Sequence, residues 1–478
     1  MKLQEVPVQA VEPARLKSLI GPERRERFDN AAHAAHDALS GRAVFNVNST
    51  RAGGGVAEML RVLLAYARGV GIDTKWFVID TDPGFFVITK RIHNYLSGAA
   101  GDGGGLGADE RHYYESILRL NVEELLTLVR PRDIVLLHDP QVAGLAPRLA
   151  RAGATVVWRC HIGSDTVNEY VERAWDFLYP YLTDVDAYVF TRRSFAPRWA
   201  DAQKVFVIPP SIDPFAPKNQ AMGPGEVDAV LRQVGLLGGE GPPPRTEFTR
   251  ADGTRGRVNR QTRVLEAGPP PPPHVPLVVQ VSRWDRMKDM AGVMTAFAEH
   301  VAASTAAHLV LAGPEVIGVT DDPEGASVLD ECLAVWRRLP GAERTRVHLA
   351  CVPMRDPDEN FIVINALQRH AAVVTQKSIA EGFGLTVAEA MWKARPIVAS
   401  AVGGIIDQIV SGEHGLLIDD PHDLDSFGRA VRRLLEDPPY AASLASNARR
   451  RAQAEFLGDR HLEQYAQLFA KLDEVKGS

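Results

Sequence analysis

The chain has 478 residues, of which 45% are hydrophobic and 24% are charged, and its formal net charge is −6. This length predicts two or three domains rather than one core, and a negative chain without a basic block is not expected to bind nucleic acid. Three cysteines without metal-ligand spacing predict a reduced, cytoplasmic setting, and the lack of a secretion signal or of a run of about 18 apolar residues predicts no membrane partner.

The first 40 residues predict a helical lead-in, in which Arg24, Arg25 and Arg27 are interpreted as a solvated face. From residue 43 onward, short apolar runs alternate with longer amphipathic ones, a pattern typical of a parallel sheet covered by helices on both faces. Residues 97–107 are glycine-rich and predict a surface excursion. The predicted strands are 42–47, 75–80, 134–138, 155–160, 187–191 and 205–208, and the first predicted helix is 56–68.

The composition changes sharply between residues 222 and 276, where two glycine- and proline-rich stretches flank a polar segment. Such a segment is not expected to form a core of its own, so we interpret it as an interdomain linker that carries an insertion. A second alternating series follows it. This series predicts strands at 277–282, 308–312, 347–352 and 415–418, helices at 289–302, 327–338 and 360–369, and further helices from residues 424 and 460.

The two series together predict an α/β protein with two Rossmann-like, doubly wound parallel-sheet domains that face a central cleft. Ligands are expected in that cleft, at the carboxyl ends of the strands. The predicted divisions are a helical lead-in at 1–40, an N-terminal Rossmann-like domain at 41–221, the linker with its insertion at 222–276, a C-terminal Rossmann-like domain at 277–455, and a C-terminal helix at 456–478 that packs back on the N-terminal domain.

One segment of the second half has the features of an anion site. An apolar strand ends near residue 376, the sequence EGFGLT at 381–386 predicts a turn, and a helix is predicted at 387–393. Glycines let the backbone approach a ligand, and the first N–H groups of a helix have no intrahelical partners. Glu381 precedes the turn and Glu389 lies about two helical turns further on, so one carboxylate faces the cleft while the other lies along the helix.

Other strand ends carry candidate phosphate contacts. The glycines at 53–55 open a helix after the first strand, but they lack the spacing of the dinucleotide fingerprint and are also compatible with a tight turn. Arg283 and Lys288 follow the first strand of the second half, where they predict either a diphosphate clamp or a basic surface turn. The glycines at 403 and 404 form a further turn of the same kind.

Polar residues also end two strands of the first half. His138, Asp139 and Gln141 follow one strand and His161 follows the next. These side chains are either structural groups whose hydrogen bonds are satisfied within the protein or parts of the site. The second alternative arises because both strand ends face the predicted cleft. We expect Arg159, Arg192 and Arg193 to be structural or rim charges. The sequence contains neither a metal-site spacing nor a Gly-x-Ser-x-Gly elbow.

Taken together, these motifs resemble the family-4 retaining glycosyltransferases of the two-domain GT-B fold. The segments VNSTRAGGGVAEML, LLHDPQ, VPMRDPDENFIVINALQR and QKSIAEGFGLTVAEAMWKARPIVA are more narrowly similar to the trehalose synthases of that family. These enzymes join the glucosyl group of a nucleotide-glucose to free glucose. The resemblance spans roughly residues 44–417, and we draw no functional inference from the proline-rich insertion.

The resemblance implies a role for each candidate residue. Arg283 and Lys288 would neutralise the donor diphosphate, Glu381 would hold the transferred glucose, and His161 would contact it near the reacting carbon. The remaining donor contacts would come from Gly54, Gly55, Gly382, Phe383, Gly384, Leu385, Thr386 and Glu389, with Glu389 on the ribose. Asn48, Asp139 and Gln141 would bind the acceptor glucose.

The resemblance also implies a mechanism without a protein nucleophile. The acceptor hydroxyl would attack the face from which the phosphate leaves, and that phosphate would take the proton. No cofactor is required, although Mg²⁺ would aid donor binding by screening its charge. The expected partners are glucose and ADP-, UDP- or GDP-glucose. The preferred nucleotide base and the favoured direction of the reaction stay open. The oligomeric state also stays open, and a homodimer is one of the alternatives.

Three other functions fit the same residues. A trehalose phosphorylase shares the carboxylate motif but uses inorganic phosphate, which has no ribose for Glu389 to hold. A sucrose-type synthase would accept fructose. A non-catalytic protein that binds nucleotide sugars is a further alternative, because a fold does not fix a function.

Overall fold

The structure is a computed structural model that describes residues 3–51, 54–239, 246–265, 269–316 and 324–477. It confirms the α/β class, with two largely parallel sheets and helices on their faces. None of the helices in this part of the chain has both the length and the apolar character needed to span a membrane.

The first domain is built on a sheet of seven described strands in the order β1-β3-β2-β4-β5-β6-β7. Strand β1 pairs antiparallel with β3, and the other neighbours pair in parallel. The strands are β1 (Gln4–Glu5), β2 (Val44–Asn48), β3 (Thr74–Val78), β4 (Ile134–His138), β5 (Thr155–Cys160), β6 (Ala187–Phe190) and β7 (Val205–Val207). The helices are α1 (Ala14–Leu19), α2 (Pro22–Ala38), α3 (Gly55–Gly69), α4 (Pro83–Leu96), α5 (Ala108–Leu126), α6 (Ala146–Arg151) and α7 (Glu169–Leu182).

The second domain repeats this plan, with seven described strands in the order β10-β13-β12-β11-β14-β15-β16 and an antiparallel edge strand, β10. The strands are β10 (Arg263–Leu265), β11 (Leu277–Val281), β12 (His308–Pro314), β13 (Val347–Val352), β14 (Val373–Gln376), β15 (Ile397–Ser400) and β16 (Leu416–Ile418). The helices are α8 (Pro224–Gln233), α9 (Met290–His300), α10 (Gly325–Arg338), α11 (Gly341–Arg344), α12 (Pro357–His370), α13 (Leu385–Trp392), α14 (Ile405–Gln408), α15 (Leu424–Glu436) and α16 (Pro438–Glu455), and α17 (Gly458–Gly477) follows them at the end of the chain.

Most predicted strands are present, and those at 134–138, 155–160 and 347–352 have the observed bounds. These three strands are buried along their whole length, so their apolar residues mark clearly where each strand begins and ends. Strand β1 was not predicted, because its two residues are polar and exposed and leave no hydrophobic signal.

The segment 222–276 contributes more structure than a linker. Helix α8 buries one apolar face in the core of the second domain, and β10 extends the second sheet. Strands β8 (Glu247–Thr249) and β9 (Arg255–Arg257) form a hairpin between these two elements. The interpretation as a linker without a core contribution was therefore wrong for these residues, because the glycines and prolines that dominate the composition obscure the short helical stripe. Residues 240–245 and 266–268 lie outside the described part.

The last helix returns to the first domain. Helix α17 packs against α2, and its apolar side chains share a cluster with residues of the first sheet. The buried members contributed by this helix are Tyr465, Ala466, Leu468, Phe469 and Leu472. The chain therefore crosses between the two domains twice, once before α8 and once before α17.

Each sheet has one point at which the strand order reverses. In the first sheet this point lies between β2 and β4, and in the second sheet between β11 and β14. The chain segments that follow the two strands at this point run in opposite directions, so the carboxyl ends of these strands border an open crevice. The two crevices face each other across the boundary between the domains, and they contain the candidate residues.

Candidate active site

A cleft of about 650 Å³ lies between the two domains. It brings together every residue to which the sequence analysis gave a role, although those residues come from distant parts of the chain. The lining includes Asn48, Gly54, Gly55, Asp139, Gln141, His161, Arg283, Lys288, Glu381, Gly382, Phe383, Gly384, Leu385, Thr386 and Glu389. Gly53 lies outside the described residues.

The basic side of the cleft follows strand β11. Lys288 Nζ lies 2.6 Å from Glu381 Oε2, and the Ser378 hydroxyl donates to the same oxygen at 3.1 Å. Arg283 follows the same strand and keeps 31% of its side chain exposed. A cation and a carboxylate therefore stand side by side at the switch point of the second sheet, as binding of both a phosphate and a hydroxyl-bearing sugar would require.

A buried ion pair joins this basic loop to the first domain. Lys90 Nζ, on α4, lies 2.9 Å from Asp285 Oδ2, and both side chains are almost fully buried. Burial alone would raise the pKa of Asp285, but Lys90, Arg283 and Lys288 outweigh it and hold that pKa well below its usual range. The loop that carries Arg283 and Lys288 is thus fixed against the opposite domain through a charged aspartate.

The glycine turn lies directly against the first domain. A Cβ on Gly382 would come within 2.1 Å of the His161 carbonyl oxygen, so a larger residue cannot occupy this position at the observed approach. Gly384 has a φ of +88°, a conformation that favours glycine. The glycines at 403 and 404 pack behind this turn, where Cβ atoms would collide with the Glu381 and Phe383 backbone.

Glu389 has one satisfied and one unsatisfied carboxylate oxygen. Lys218 Nζ lies 3.1 Å from Glu389 Oε1 and 3.1 Å from Glu58 Oε2 on α3. Among the described residues, no donor reaches Glu389 Oε2, although that atom is buried. Burial raises the pKa of Glu58, whereas for Lys218 the two carboxylates outweigh burial and raise its pKa. Glu389 therefore offers an acceptor to the cleft while Lys218 compensates its charge.

Gly54 and Gly55 bring the start of α3 to the other wall of the cleft. A Cβ on Gly55 would lie 3.1 Å from Leu385 Cδ1, across the domain boundary. Gly54 is the N-cap of α3, its side chain makes no cap hydrogen bond, and both glycines line the cleft. This arrangement is compatible with the phosphate contact that the resemblance implies.

His161 is held from behind by a buried arginine. Arg159 Nε donates to His161 Nε2 at 2.9 Å, and the same guanidinium donates to the Ile208 carbonyl and to the Tyr465 hydroxyl of α17. Burial and the positive charge of Arg159 keep the pKa of His161 well below its usual value, so the ring is neutral. Of the two expectations for Arg159, a structural or a rim charge, the structural one fits, because its side chain is fully buried beneath the cleft.

Asp139 is an unusual residue at the end of β4. Its φ is +68°, and its Oδ1 accepts a hydrogen bond from the His161 backbone N–H at 2.7 Å. Burial raises its pKa to about 7, against the opposing effects of that hydrogen bond and of Arg159. A strained backbone and a carboxyl that titrates near neutrality are both features that concentrate at functional sites.

The two amide side chains beside Asp139 differ. Gln141 Oε1 is buried and has no partner among the described residues, so it is available to a ligand. Asn48 Nδ2 donates to the Thr50 carbonyl at 2.6 Å, and Asn48 Oδ1 accepts from the Trp76 indole at 2.8 Å. One N–H and the carbonyl oxygen of the Asn48 amide are therefore already bonded within its own domain.

The sequence analysis missed several residues that organise the cleft. Lys90, Lys218 and Asp285 form ion pairs between the domains, and Arg159 supports His161. No local signal marks them, because each partner is distant in sequence. Within the parts of the chain that the structure describes, no three His, Cys, Asp or Glu side chains are grouped as a metal site.

Comparisons with known proteins agree with this geometry. Residues 46–197 match the family model described as trehalose synthase, N-terminal domain, and residues 356–451 match the model for glycosyl transferases group 1. A trehalose synthase from Rubrobacter xylanophilus is 34% identical over 465 residues, which is 94% of this chain and 95% of the relative. A trehalose phosphorylase from Pleurotus sajor-caju is 25% identical and matches 77% of this chain but 50% of its own length.

Solved structures share the two-domain arrangement. A sucrose-phosphate synthase from Thermosynechococcus elongatus covers 91% of this chain and all of its own, with a TM-score of 0.64 and 18% identity. A trehalose-6-phosphate structure from E. coli bound with UDP-2-fluoro glucose covers 90% of this chain and 99% of its own, with a TM-score of 0.65 and 14% identity. These likenesses show the GT-B fold.

Proposed function

The chain belongs to the trehalose synthase family of glycosyltransferases, and on that premise we propose that it transfers glucose from a nucleoside diphosphate glucose to free glucose and so forms trehalose. The proposal covers the substrates, the retention of anomeric configuration and the reversibility of the reaction. The three cysteines are free and buried, which fits our proposal of a cytoplasmic enzyme.

The observation that carries the proposal is the buried, unpartnered Oε2 of Glu389. A buried carboxylate oxygen without a donor is costly, and a ribose hydroxyl would satisfy it. Lys218 already occupies Oε1, so the second oxygen remains for a ligand. A donor that contains a ribose uses this atom, whereas glucose 1-phosphate does not. This favours a nucleotide-sugar transferase over a phosphorylase.

The leaving group is stabilised by fixed positive charge. In this proposal Arg283 and Lys288 bind the diphosphate, and the Lys90–Asp285 pair holds their loop in place. Charges that are already oriented where negative charge develops lower the barrier without reorganising during the reaction. A bound Mg²⁺ would add further screening of the donor diphosphate.

The acceptor side lies around Asp139. With its pKa at about 7, Asp139 accepts a hydrogen bond from a glucose hydroxyl at neutral pH, and Gln141 Oε1 accepts a second one. Neutral His161 contacts the transferred glucosyl group. The acceptor hydroxyl attacks the anomeric carbon on the face from which the phosphate departs. The C–O bond to the phosphate breaks, the new glycosidic bond forms, and the departing phosphate takes the proton.

The test is a product analysis with purified protein. ADP-, UDP- and GDP-glucose are each incubated with glucose, and trehalose and the released nucleoside diphosphate are quantified. We expect trehalose and nucleoside diphosphate in equal amounts. Parallel reactions offer trehalose with inorganic phosphate, and fructose as acceptor. Glucose 1-phosphate formation without any nucleotide-dependent transfer would contradict the proposal, as would exclusive use of fructose or no turnover at all.

A further inference from the structure

The hairpin β8–β9 belongs to the insertion to which the sequence analysis gave no role. Two of its residues, Arg250 and Ala251, line the cleft. They lie beside the start of α12, which follows strand β13 and also lines the cleft. The insertion therefore forms part of the ligand-binding wall.

The position of the hairpin along the cleft follows from the order of the strands. Arg283 and Lys288 follow β11, and β13 lies two strands away in the order β13-β12-β11. Because neighbouring strands are about 4.8 Å apart, the end of β13 lies roughly 10 Å from the end of β11. A nucleoside that extends from a diphosphate at Arg283 and Lys288 toward β13 would bring its base close to the hairpin.

Phe361 lies on the same side of the cleft. The Lys218 ammonium, which holds Glu389, is 5.6 Å from the centre of the Phe361 ring. The ring lines the cleft and is only partly buried. An aromatic surface thus follows directly after the carboxylate assigned to the ribose, where a planar base is expected.

The hairpin is firmly anchored in this position. The Arg250 guanidinium forms two bonds with Asp356, from Nη1 at 2.8 Å and from Nη2 at 2.6 Å. The Ala251 N–H donates to Asp358 at 3.0 Å, and buried Glu359 accepts from the Asn259 N–H at 2.6 Å. Three carboxylates at the start of α12 thus fix the turn between β8 and β9 and the segment that follows β9. A surface that is ordered in advance loses little entropy when a ligand binds.

The chemistry of Arg250 points to stacking rather than to charge attraction. Its charge is compensated by Asp356 through a bidentate pair, so it adds little attraction for a distant diphosphate. A guanidinium that is held flat presents a planar face, and bases stack on such faces as they do on aromatic rings. Lysine has no comparable plane.

Resting on the proposed function, we propose that the β8–β9 hairpin is the base wall of the donor site. In this assignment Arg250, positioned by Asp356, stacks on the nucleobase and biases the preference among ADP-, UDP- and GDP-glucose through the strength of that stacking. The ligand class is a nucleoside diphosphate, and the insertion acts as an element of donor specificity.

Calorimetry on the full chain tests this proposal with ADP, UDP, GDP and inorganic pyrophosphate as probes. The variants are Arg250→Ala and Arg250→Lys, and the control is Arg255→Ala, an exposed arginine on β9 that does not line the cleft. We expect both Arg250 variants to raise the Kd of the preferred nucleoside diphosphate about tenfold or more and to reduce the differences among the three bases. Pyrophosphate binding and the control should be unchanged.

Other results would overturn the assignment. Equal losses for pyrophosphate and nucleotides, or full retention of affinity and base preference in Arg250→Lys, would show that charge and not stacking is responsible. If Arg250→Ala is too unstable to measure, Arg250→Lys decides alone. Failure of the wild-type protein to bind any nucleoside diphosphate would contradict the proposed function itself. Normal nucleotide binding with no effect at Arg250 would contradict only the role of the hairpin.

Discussion

The two walls of the cleft are built in different ways. In the second domain, the groups around the glycine turn lie close together in sequence and contact one another, as Ser378 and Glu381 do. In the first domain, buried Asp139 and half-buried His161 have shifted pKa values, and His161 depends on support from a distant helix through Arg159. The second wall can therefore be recognised as a motif, whereas the first depends on the tertiary structure.

This difference predicts that substitutions in the second wall affect the reaction and leave stability nearly intact. We expect Lys288→Ala and Glu381→Ala each to lower the rate of transfer by about 10² to 10³, since each removes a group directed at the reacting phosphate or sugar. Steady-state kinetics measure the effect, and thermal unfolding checks the fold.

Arg286→Ala is the matched control for these variants. It removes a cation from the same loop, but Arg286 pairs with Glu331, away from the cleft. Near-normal rates in both Lys288→Ala and Glu381→Ala would remove the assignment of this wall. A comparable loss in the control would show that the loop, and not the side chains at the cleft, is responsible.

In the first wall, a substitution of Asp139 should stabilise the fold near neutral pH but weaken binding of the acceptor. The pKa of Asp139 is raised to about 7, so between about pH 4 and pH 7 the folded protein retains a proton that the unfolded chain has lost. The free energy of unfolding contributed by this group therefore falls with rising pH, by up to about 1.4 kcal/mol per pH unit. Asp139→Asn should remove this decrease and raise the acceptor KM about tenfold.

Chemical denaturation at pH 4.5 and pH 7.5 tests the stability part. Asp139→Asn should gain stability relative to the wild type at the higher pH, while Asp176→Asn, on the exposed face of α7, should follow the wild type at both. A variant whose stability difference is independent of pH would contradict the titration of Asp139 near neutrality.

The smallest predicted effect concerns the support of His161 by α17. Tyr465→Phe removes the hydroxyl that accepts a hydrogen bond from Arg159, and we expect it to lower stability by about 1 kcal/mol. Because the guanidinium is then less firmly held, kcat should fall a few-fold with little change in KM. The comparison is Tyr188→Phe, which loses a hydrogen bond to the Leu182 carbonyl far from the cleft. An equal loss of kcat in both variants would contradict the positioning role.

Much of the fold could be predicted from the sequence because its strands are buried and uniformly apolar. The alternation of elements predicted both sheets and a cleft at the carboxyl ends of their strands, but not the points at which the strand order reverses. The hairpin and α8 could not be predicted as parts of the second domain, because their anchors on α12, including Asp356 and Glu359, are about a hundred residues away.

The site residues that lie after the carboxyl ends of strands could be predicted from the sequence. Glu381, Glu389, Arg283 and Lys288 all line the cleft, as expected for carboxyl ends of parallel strands. The sequence did not reveal the unpartnered oxygen of Glu389, since that property depends on Lys218 occupying the other oxygen. The sequence also left open whether Arg159 is a structural or a rim charge, because burial and partners are properties of the packed molecule.

The measurement that tests the central claim most directly is the affinity of the wild type and of Glu389→Gln for a nucleoside diphosphate and for inorganic pyrophosphate. If Glu389 holds the ribose, the variant should bind the nucleoside diphosphate about tenfold to a hundredfold more weakly, because a charged acceptor is lost, and should bind pyrophosphate as before. Unchanged nucleotide affinity, or an equal change for both ligands, would contradict the assignment.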